Sequence, residues 1–190
     1  AGFYDDITRE MVVVQGEDFT GSEKMTYAHE FTHALQDDTY DLENGLNLND
    51  DECLIDSEYC AAVQALVEGD ATLTETQWFL EHSTTQDKKE IFSLYNDYQS
   101  PIYDSAPKFL QEDFLFPYSQ GLEFVQSLYD QGGFDAIDQA FIHPPVSTEQ
   151  ILHPEHYPDD EPIALIIPDL SDILGIGWEE IDRNSLGEWY

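Results

Sequence analysis

The stretch His29-Glu30-Phe31-Thr32-His33 constrains the fold more than any other part of this sequence. On an α-helix successive residues turn by about 100°, so its two histidines lie about 40° apart on one face. Two such imidazoles can bind one metal ion, but a catalytic zinc needs a third protein ligand and an open fourth position. We therefore expect the fold to bring a ligand from another element against this helix.

Glu30 follows the first histidine and lies at the edge of the same helix face. From there it is badly placed to bind the metal but well placed to reach a water bound to it, and to accept the proton of that water. The pattern H-E-x-x-H thus predicts two ligands and a general base. The alternative is an ordinary helix whose histidines bond their neighbours.

The third ligand cannot be a histidine of the same helix, because Gln36 and Thr39 stand where the longer three-histidine pattern requires glycine and histidine. Glu68 is the best candidate, since it lies in the apolar stretch ALVEGDAT, where a carboxylate without a partner is costly to bury. Gly69 weakens a helix, and one reason to keep it is the close approach of a second helix. Glu75 is the reserve candidate. A salt-bridged or solvent-facing Glu68 is the alternative.

The charge balance limits the partners of the chain. Forty-one Asp and Glu residues oppose six Lys and Arg residues, a formal net charge of −35. A nucleic-acid partner is excluded because phosphate binding needs a basic surface. This excess of negative charge has three possible explanations: an acidic soluble protein, for which secretion is an option, adaptation to high salt, or stabilisation by bound cations. No apolar run is long enough to span a bilayer. We expect an extracellular or cell-envelope protein, with a high-salt environment as an option.

The acidic stretch at residues 37–52 is a candidate loop. It lacks the glycine at position six of an EF-hand, so only a weaker Ca²⁺ site is considered there. Cys53 and Cys60 would lie about 10 Å apart on one continuous helix, too far for a disulfide. A bridge becomes possible if Cys53 lies in the loop before the helix, and both options stay open.

Hydrophobic periodicity and capping signals predict an α+β chain that is mostly helical, with a small N-terminal sheet. The sheet is a hairpin of residues 3–7 and 11–15. The helices are expected at residues 20–38, 57–80, 87–98, 107–115, 117–130, 134–141 and 147–153. Residues 161–170 could form a further strand. For the aromatic residues between 95 and 116, both a substrate groove and a place in the core are open.

The sequence HEFTHALQDD resembles the active-site helix of thermolysin-like gluzincins, including Asp37 one turn after the second histidine. Together with ALVEGDAT, FPYSQGLEFVQSLYDQGGFDAID and PPVSTEQILHPEHY, it is more similar to a family of predicted microbial zincin-type metallopeptidases. The resemblance covers most of the chain, from residue 3 to residue 157 and more loosely to residue 188. It implies a zincin-like fold in a single domain, residues 1–190, which we expect to be truncated at one or both ends.

The resemblance also implies a site. Zinc would be held by His29, His33 and Glu68, with Glu30 as base, and a peptide substrate could add as a strand to the edge of the hairpin. The chain departs from thermolysin-like enzymes in its second motif, because Val67 precedes the glutamate in place of asparagine.

Thr72 also stands where thermolysin-like enzymes have an acid. The residues that would orient the histidines are therefore open between Asp37, Asp70 and Thr72.

Hydrolysis through such a site also needs a donor for the developing oxyanion. The segment HPEHY offers His153 and Tyr157 as candidate catalytic residues, while His143 and Tyr118 are secondary candidates. The alternative for His153 and Tyr157 is that they close a loop or cover the core.

These observations predict zinc-dependent hydrolysis of peptide bonds. Two alternatives remain: an inactive zincin-like domain that serves as a binding or scaffold module, and a zinc hydrolase that acts on a non-peptide bond. An intact Glu30 argues against the first alternative, since a purely structural site needs no base.

Overall fold

The computed structural model describes residues 1–163, 165, 168, 170–181 and 183–190. Within them the chain is mostly helical, with one small antiparallel sheet. The strands are β1 (Gly2–Asp5) and β2 (Glu10–Val13). The helices are α1 (Gly21–Tyr40), α2 (Asp50–Ile55), α3 (Ser57–Glu81), α4 (Thr85–Asp97), α5 (Pro101–Ser105), α6 (Lys108–Gly132), α7 (Phe134–Ile142), α8 (Thr148–Leu152) and α9 (Ser171–Leu174).

The N-terminal hairpin is confirmed. β1 pairs with β2 so that Gly2 faces Val13 and Asp5 faces Glu10. The hairpin lies against α1 at its first strand, where a Cβ added to Gly2 would come within 2.7 Å of Thr26 and 3.3 Å of Glu30. Only a glycine therefore lets the strand approach α1 so closely beside the motif.

Helix α1 carries the motif and begins where the capping signal predicts. The main-chain N–H of Thr20 donates to the Glu23 carboxylate at 2.9 Å, which satisfies a donor that the helix start leaves free. At the other end, Asp41 adopts a left-handed conformation (φ 54°), and its N–H donates to the carbonyl oxygen of Asp37. The Asp37 side chain also joins α1 to the hairpin, because it accepts a hydrogen bond from the Tyr4 hydroxyl.

Helix α3 lies at the centre of the fold. The Asp56 side chain caps its start by accepting from the N–H of Tyr59 at 3.1 Å. Its alanine, valine and leucine residues are buried and pack against α6, where Phe124 and Val125 are fully buried. Among the described residues, most of the buried apolar side chains form one contiguous cluster between these helices and α7 and α8.

Helices α3 and α6 approach each other through two glycines. A Cβ on Gly69 would lie 2.3 Å from the carbonyl oxygen of Gly121, and a Cβ on Gly121 would lie 2.1 Å from the carbonyl oxygen of Ala65. These separations are too short for any side chain, so the two backbones touch. The structure thus supplies the second helix whose close approach Gly69 predicts, and that helix is α6.

The two helices predicted at residues 107–115 and 117–130 form one helix, so that prediction is wrong. α6 runs from Lys108 to Gly132 and contains Pro117 in its interior. Proline removes one helical hydrogen bond and usually kinks or breaks a helix. Here Phe116 and Pro117 are buried, and Trp189 packs on Phe116 with ring centroids 4.5 Å apart. Burial at this point outweighs the local penalty.

Cys53 and Cys60 form a disulfide with a Cα–Cα distance of 5.4 Å. The sequence left two arrangements open, one continuous helix without a bridge or a bridge from a loop, and neither fully describes this disulfide. Cys53 does not lie in a loop, but in the short helix α2, and the break at Asp56 separates α2 from α3. Because of this break, the two cysteines are not on one continuous helix, and the bridge can close.

The strand predicted within residues 161–170 includes Ala164, Ile166, Ile167 and Asp169, which lie outside the described residues. Of the helices that the structure describes, none combines the length and the apolar character needed to cross a membrane.

We expect Gly121→Ala to lower the free energy of unfolding by about 1–3 kcal/mol, because the new methyl group would overlap the α3 backbone. Urea unfolding followed by circular dichroism would measure this change. Gly16→Ala is the matched control, since a Cβ there meets nothing within 4 Å. Equal losses in the two variants would contradict the close contact between α3 and α6.

Candidate metal centre

Three of the predicted ligand residues come together between α1 and α3. His29 Nε2 lies 3.1 Å from Glu68 Oε2 and 3.1 Å from His33 Nε2, and His33 Nε2 lies 3.4 Å from Glu68 Oε2. The three side chains keep 11% to 15% of their surface exposed. The cluster is thus largely, but not completely, shielded from bulk water.

The triangle of ligand atoms has the size that a tetrahedral metal site requires. Zinc bonds of about 2.0–2.2 Å place neighbouring ligand atoms about 3.3–3.6 Å apart. The three separations in this cluster, 3.1, 3.1 and 3.4 Å, are close to these values. The triangle is therefore slightly smaller than a tetrahedral zinc site but close to it in size.

A hydrogen-bond relay fixes the orientation of the His33 ring. Gln36 Nε2 donates to the carbonyl oxygen of Val67 at 3.1 Å and to Asp70 Oδ2 at 2.8 Å, so its amide oxygen must face the other way. That oxygen lies 2.9 Å from His33 Nδ1 and can only accept, so Nδ1 carries the proton. The lone pair of the neutral ring is thereby left on Nε2, which points into the cluster.

The other histidine has a carboxylate on its outer side. His29 Nδ1 lies 3.3 Å from Glu75 Oε2. This approach is too poorly aligned to count as a hydrogen bond, and Nδ1 is buried, so we treat it as an ionic contact. Glu75, the reserve candidate for a ligand, thus contacts the nitrogen that faces away from the triangle. Its place is that of a carboxylate that orients a histidine.

In the metal-free cluster, the histidines and the carboxylates shift one another's pKa values. Burial opposes the charge on His29, but the Glu68 and Glu75 carboxylates outweigh it and raise the pKa of His29 to about 10. Burial also opposes the charge on Glu68, but the hydrogen bond with His29 and the nearby His33 ring outweigh it and lower the pKa of Glu68 to about 2. A proton on His29 therefore occupies the place between the ligand atoms that a cation could take.

Glu30 lies beside the triangle and is almost fully buried. Burial raises the pKa of Glu30, and the neighbouring histidines counteract this rise in part. A carboxylate with a raised pKa is a better proton acceptor than an exposed one. The placement of Glu30 agrees with the edge position that helix geometry predicts.

Tyr118 of α6 completes the surroundings of the cluster. Its ring stacks on His29 with centroids 6.3 Å apart. Burial and the neighbouring Glu68 carboxylate raise the pKa of Tyr118 to about 12, so its hydroxyl stays protonated at neutral pH. Tyr118 is three residues from Gly121, and the contact at this glycine brings its part of α6 to α3.

The structure gives His153 and Tyr157 other partners. His153 Nε2 lies 3.1 Å from Glu188 Oε1, and the Tyr157 hydroxyl donates to the carbonyl oxygen of His143 at 2.7 Å. The Tyr157 ring also packs edge-on against the buried Phe124. These contacts match the alternative of loop closure and core cover, and they do not favour the predicted catalytic role.

Of the three residues considered for orienting the histidines, Asp70 is linked to a histidine by way of another side chain. It accepts a hydrogen bond from Gln36, whose amide oxygen accepts one from His33. Asp37 instead accepts from the Tyr4 hydroxyl at 2.7 Å and from the N–H of Leu42 at 3.2 Å, and so joins α1 to the hairpin. Within the described part of the chain, the Thr72 hydroxyl is buried without a hydrogen-bond partner.

The contact of Gln36 with His33 is not predicted from the sequence, although the spacing of three residues allows a contact on one helix face. Tyr118 was a secondary candidate because nothing local links it to the motif.

One further group of possible ligands exists among the described residues. Glu149, His156 and Asp160 gather on the surface, with His156 Nδ1 3.0 Å from Glu149 Oε1. Neither group lies in the acidic stretch at residues 37–52, so the Ca²⁺ site considered there stays a prediction.

In comparisons with known proteins, no family model, no curated protein and no solved structure matches this chain. The resemblance to zincin-type peptidases therefore stays a prediction that depends on the quoted motifs.

The protonated cluster makes metal-free stability depend on pH. The folded pKa of His29 lies above its ordinary 6.5, so the stabilising charge is fully present below pH 6.5 and is lost as the pH rises towards about 10. We expect the unfolding free energy of EDTA-treated protein to fall over this range more steeply than that of His29→Gln. Chemical unfolding at several pH values would measure both slopes, and equal slopes would contradict the coupling.

Proposed function

We propose that this chain is a zinc-dependent peptidase in which His29, His33 and Glu68 bind the metal and Glu30 acts as base. The observation that carries the proposal is the triangle of His29 Nε2, His33 Nε2 and Glu68 Oε2, with sides of 3.1 to 3.4 Å. Two imidazoles and one carboxylate form a ligand set that suits zinc.

The number of ligands favours a catalytic site over a structural one. Structural zinc sites are closed by four protein ligands, whereas catalytic sites keep one position open. In this cluster, three side chains of the described residues supply a ligand atom each. Glu75 contacts the outer nitrogen of His29 and so does not compete for the fourth position.

Each group around the triangle has a role in peptide hydrolysis. A zinc ion at these ligands would supply Lewis acidity to the scissile carbonyl and to a water molecule. Glu30 accepts a proton from the attacking water and passes it to the leaving amine, and the raised pKa of this buried carboxylate supports that role. Tyr118, with its pKa near 12, donates its hydroxyl hydrogen to the developing oxyanion.

The proposal replaces His153 and Tyr157 as oxyanion donors with Tyr118. The reason is the position of Tyr118 beside His29 and Glu68, whereas Tyr157 contacts the His143 carbonyl and Phe124. The two alternatives, a binding module without activity and a hydrolase for another bond, share the same metal site. They differ from the proposal in what Glu30 does and in which substrates are cleaved.

Glu30→Gln should abolish hydrolysis of an unfolded, fluorescently labelled polypeptide and leave zinc binding intact, because the amide cannot accept the proton of water.

Tyr118→Phe should lower kcat by about 100-fold with a much smaller change in KM, since an oxyanion donor acts in the transition state. Tyr157→Phe is the matched comparison, because it removes the same atom from the other predicted tyrosine.

Persistent activity in Glu30→Gln would contradict the assigned base. A larger loss of kcat in Tyr157→Phe than in Tyr118→Phe would favour Tyr157 as the oxyanion donor. If the wild-type protein binds zinc and cleaves no polypeptide, the binding-module alternative is favoured.

A further inference from the structure

A row of aromatic rings leads away from the candidate metal centre along α6. The Tyr118 ring lies 6.3 Å from His29, Phe114 lies 6.4 Å from Tyr118, and Tyr103 lies 6.0 Å from Phe114, measured between centroids. We call these three residues, Tyr103, Phe114 and Tyr118, the aromatic row. It starts at the cluster and ends at the segment that precedes α6.

The aromatic row is exposed where a core residue would be buried. Phe114 keeps 64% of its surface accessible and Tyr118 keeps 37%. Of the two readings that the sequence left open for the aromatic residues at 95–116, a place in the core therefore fails for Phe114, while it holds for the buried Phe116. Large exposed apolar side chains that adjoin one another mark a surface for binding.

The outer end of the aromatic row is held in place before anything binds. The Tyr103 hydroxyl donates to the carbonyl oxygen of Gln111 at 3.3 Å. The Gln111 side chain in turn donates to the carbonyl oxygen of Ala106 at 2.8 Å, across the turn that precedes α6. A surface that is ordered in advance loses less entropy when a ligand binds.

The spacing of the rings fits one class of ligand. In an extended peptide, side chains at positions i and i+2 point to the same side and lie about 6.4–6.8 Å apart. The steps of the aromatic row, 6.0 and 6.4 Å, are close to this repeat. An extended peptide can thus place alternate side chains against neighbouring rings of the aromatic row.

The negative charge of the chain further limits which peptides the aromatic row can bind. The aromatic row is uncharged, but its inner end adjoins Glu68 and Glu30, and the whole chain carries a formal charge of −35. Acidic residues in a bound peptide would be repelled there, while neutral and basic residues would not.

We propose that the aromatic row binds an extended, non-acidic peptide through large apolar side chains at alternate positions. The further statement that this peptide is the substrate rests on the proposed function, because continuity with His29 places the peptide next to the cluster. The row then acts as the surface that selects sequences on one side of the scissile bond.

The test uses two fluorescent peptides of the same composition, both rich in Ser and Lys. One carries Phe at positions i and i+2, and the other carries Phe at i and i+1, so that its two rings point to opposite sides of an extended chain. Anisotropy would measure their binding to zinc-loaded Glu30→Gln, which should not cleave them, and to the metal-free protein.

We expect the i,i+2 peptide to bind about tenfold more tightly than the i,i+1 peptide, and Phe114→Ala to abolish this preference. Phe109→Ala is the matched control. Phe109 is an exposed phenylalanine of the same helix, five residues away and therefore about 140° around the axis, and its loss should keep the preference.

Equal binding of the two peptides, or a preference that survives Phe114→Ala, would overturn the inference. The same assay separates it from the proposed function. A tenfold preference in a wild-type protein that binds no zinc and cleaves neither peptide would support the aromatic row as a binding surface and would count against the peptidase.

Discussion

The contact between α3 and α6 at Gly69 and Gly121 is the constraint on which the rest of the structure depends. Because neither glycine has a side chain, the two backbones touch, and the apolar faces of both helices close over a common core. Glu68 neighbours Gly69 in α3, and Tyr118 lies one turn before Gly121 in α6. This contact thus brings the Tyr118 phenol next to Glu68, which the packing of α3 against α1 places at the histidines. A larger residue at either glycine would separate the helices and move Tyr118 away from the cluster.

Polar groups at the centre of this fold are buried at a cost, and they offset much of it by pairing with one another. Gln36 is bonded on both ends of its amide, to Asp70 and Val67 on one side and to His33 on the other. His29 lies between Glu68 and Glu75. Such a network specifies ring orientation more than it stabilises the fold, since desolvation opposes each buried charge. This arrangement leaves one inward-facing atom each of His29, His33 and Glu68 available as a metal ligand, and the proposed function depends on these three atoms.

Much of the fold follows from local signals in the sequence. The hairpin and most helices were predicted within a few residues, because capping residues, glycine stops and apolar periodicity act over short distances. The meeting of His29, His33 and Glu68 was also predictable, since helical spacing sets the first pair and an isolated Glu68 in an apolar stretch requires a partner. The break predicted at Pro117 is wrong because proline destabilises a helix locally, whereas the burial of Phe116 that outweighs this effect comes from tertiary packing. The position of Tyr118 beside His29 could not be predicted, since it depends on which turn of α6 meets Gly69.

The central claim is that the three side chains bind one zinc ion. Metal content by plasma mass spectrometry, after incubation with zinc and removal of the excess, tests it most directly on the wild type, His29→Ala, Glu68→Ala and Glu75→Ala. The account predicts about one zinc per wild-type chain, loss of zinc in the first two variants, and retention with weaker affinity in Glu75→Ala, which keeps all three ligands. A wild-type chain without zinc, or a Glu68→Ala variant that retains as much zinc as the wild type, would contradict it.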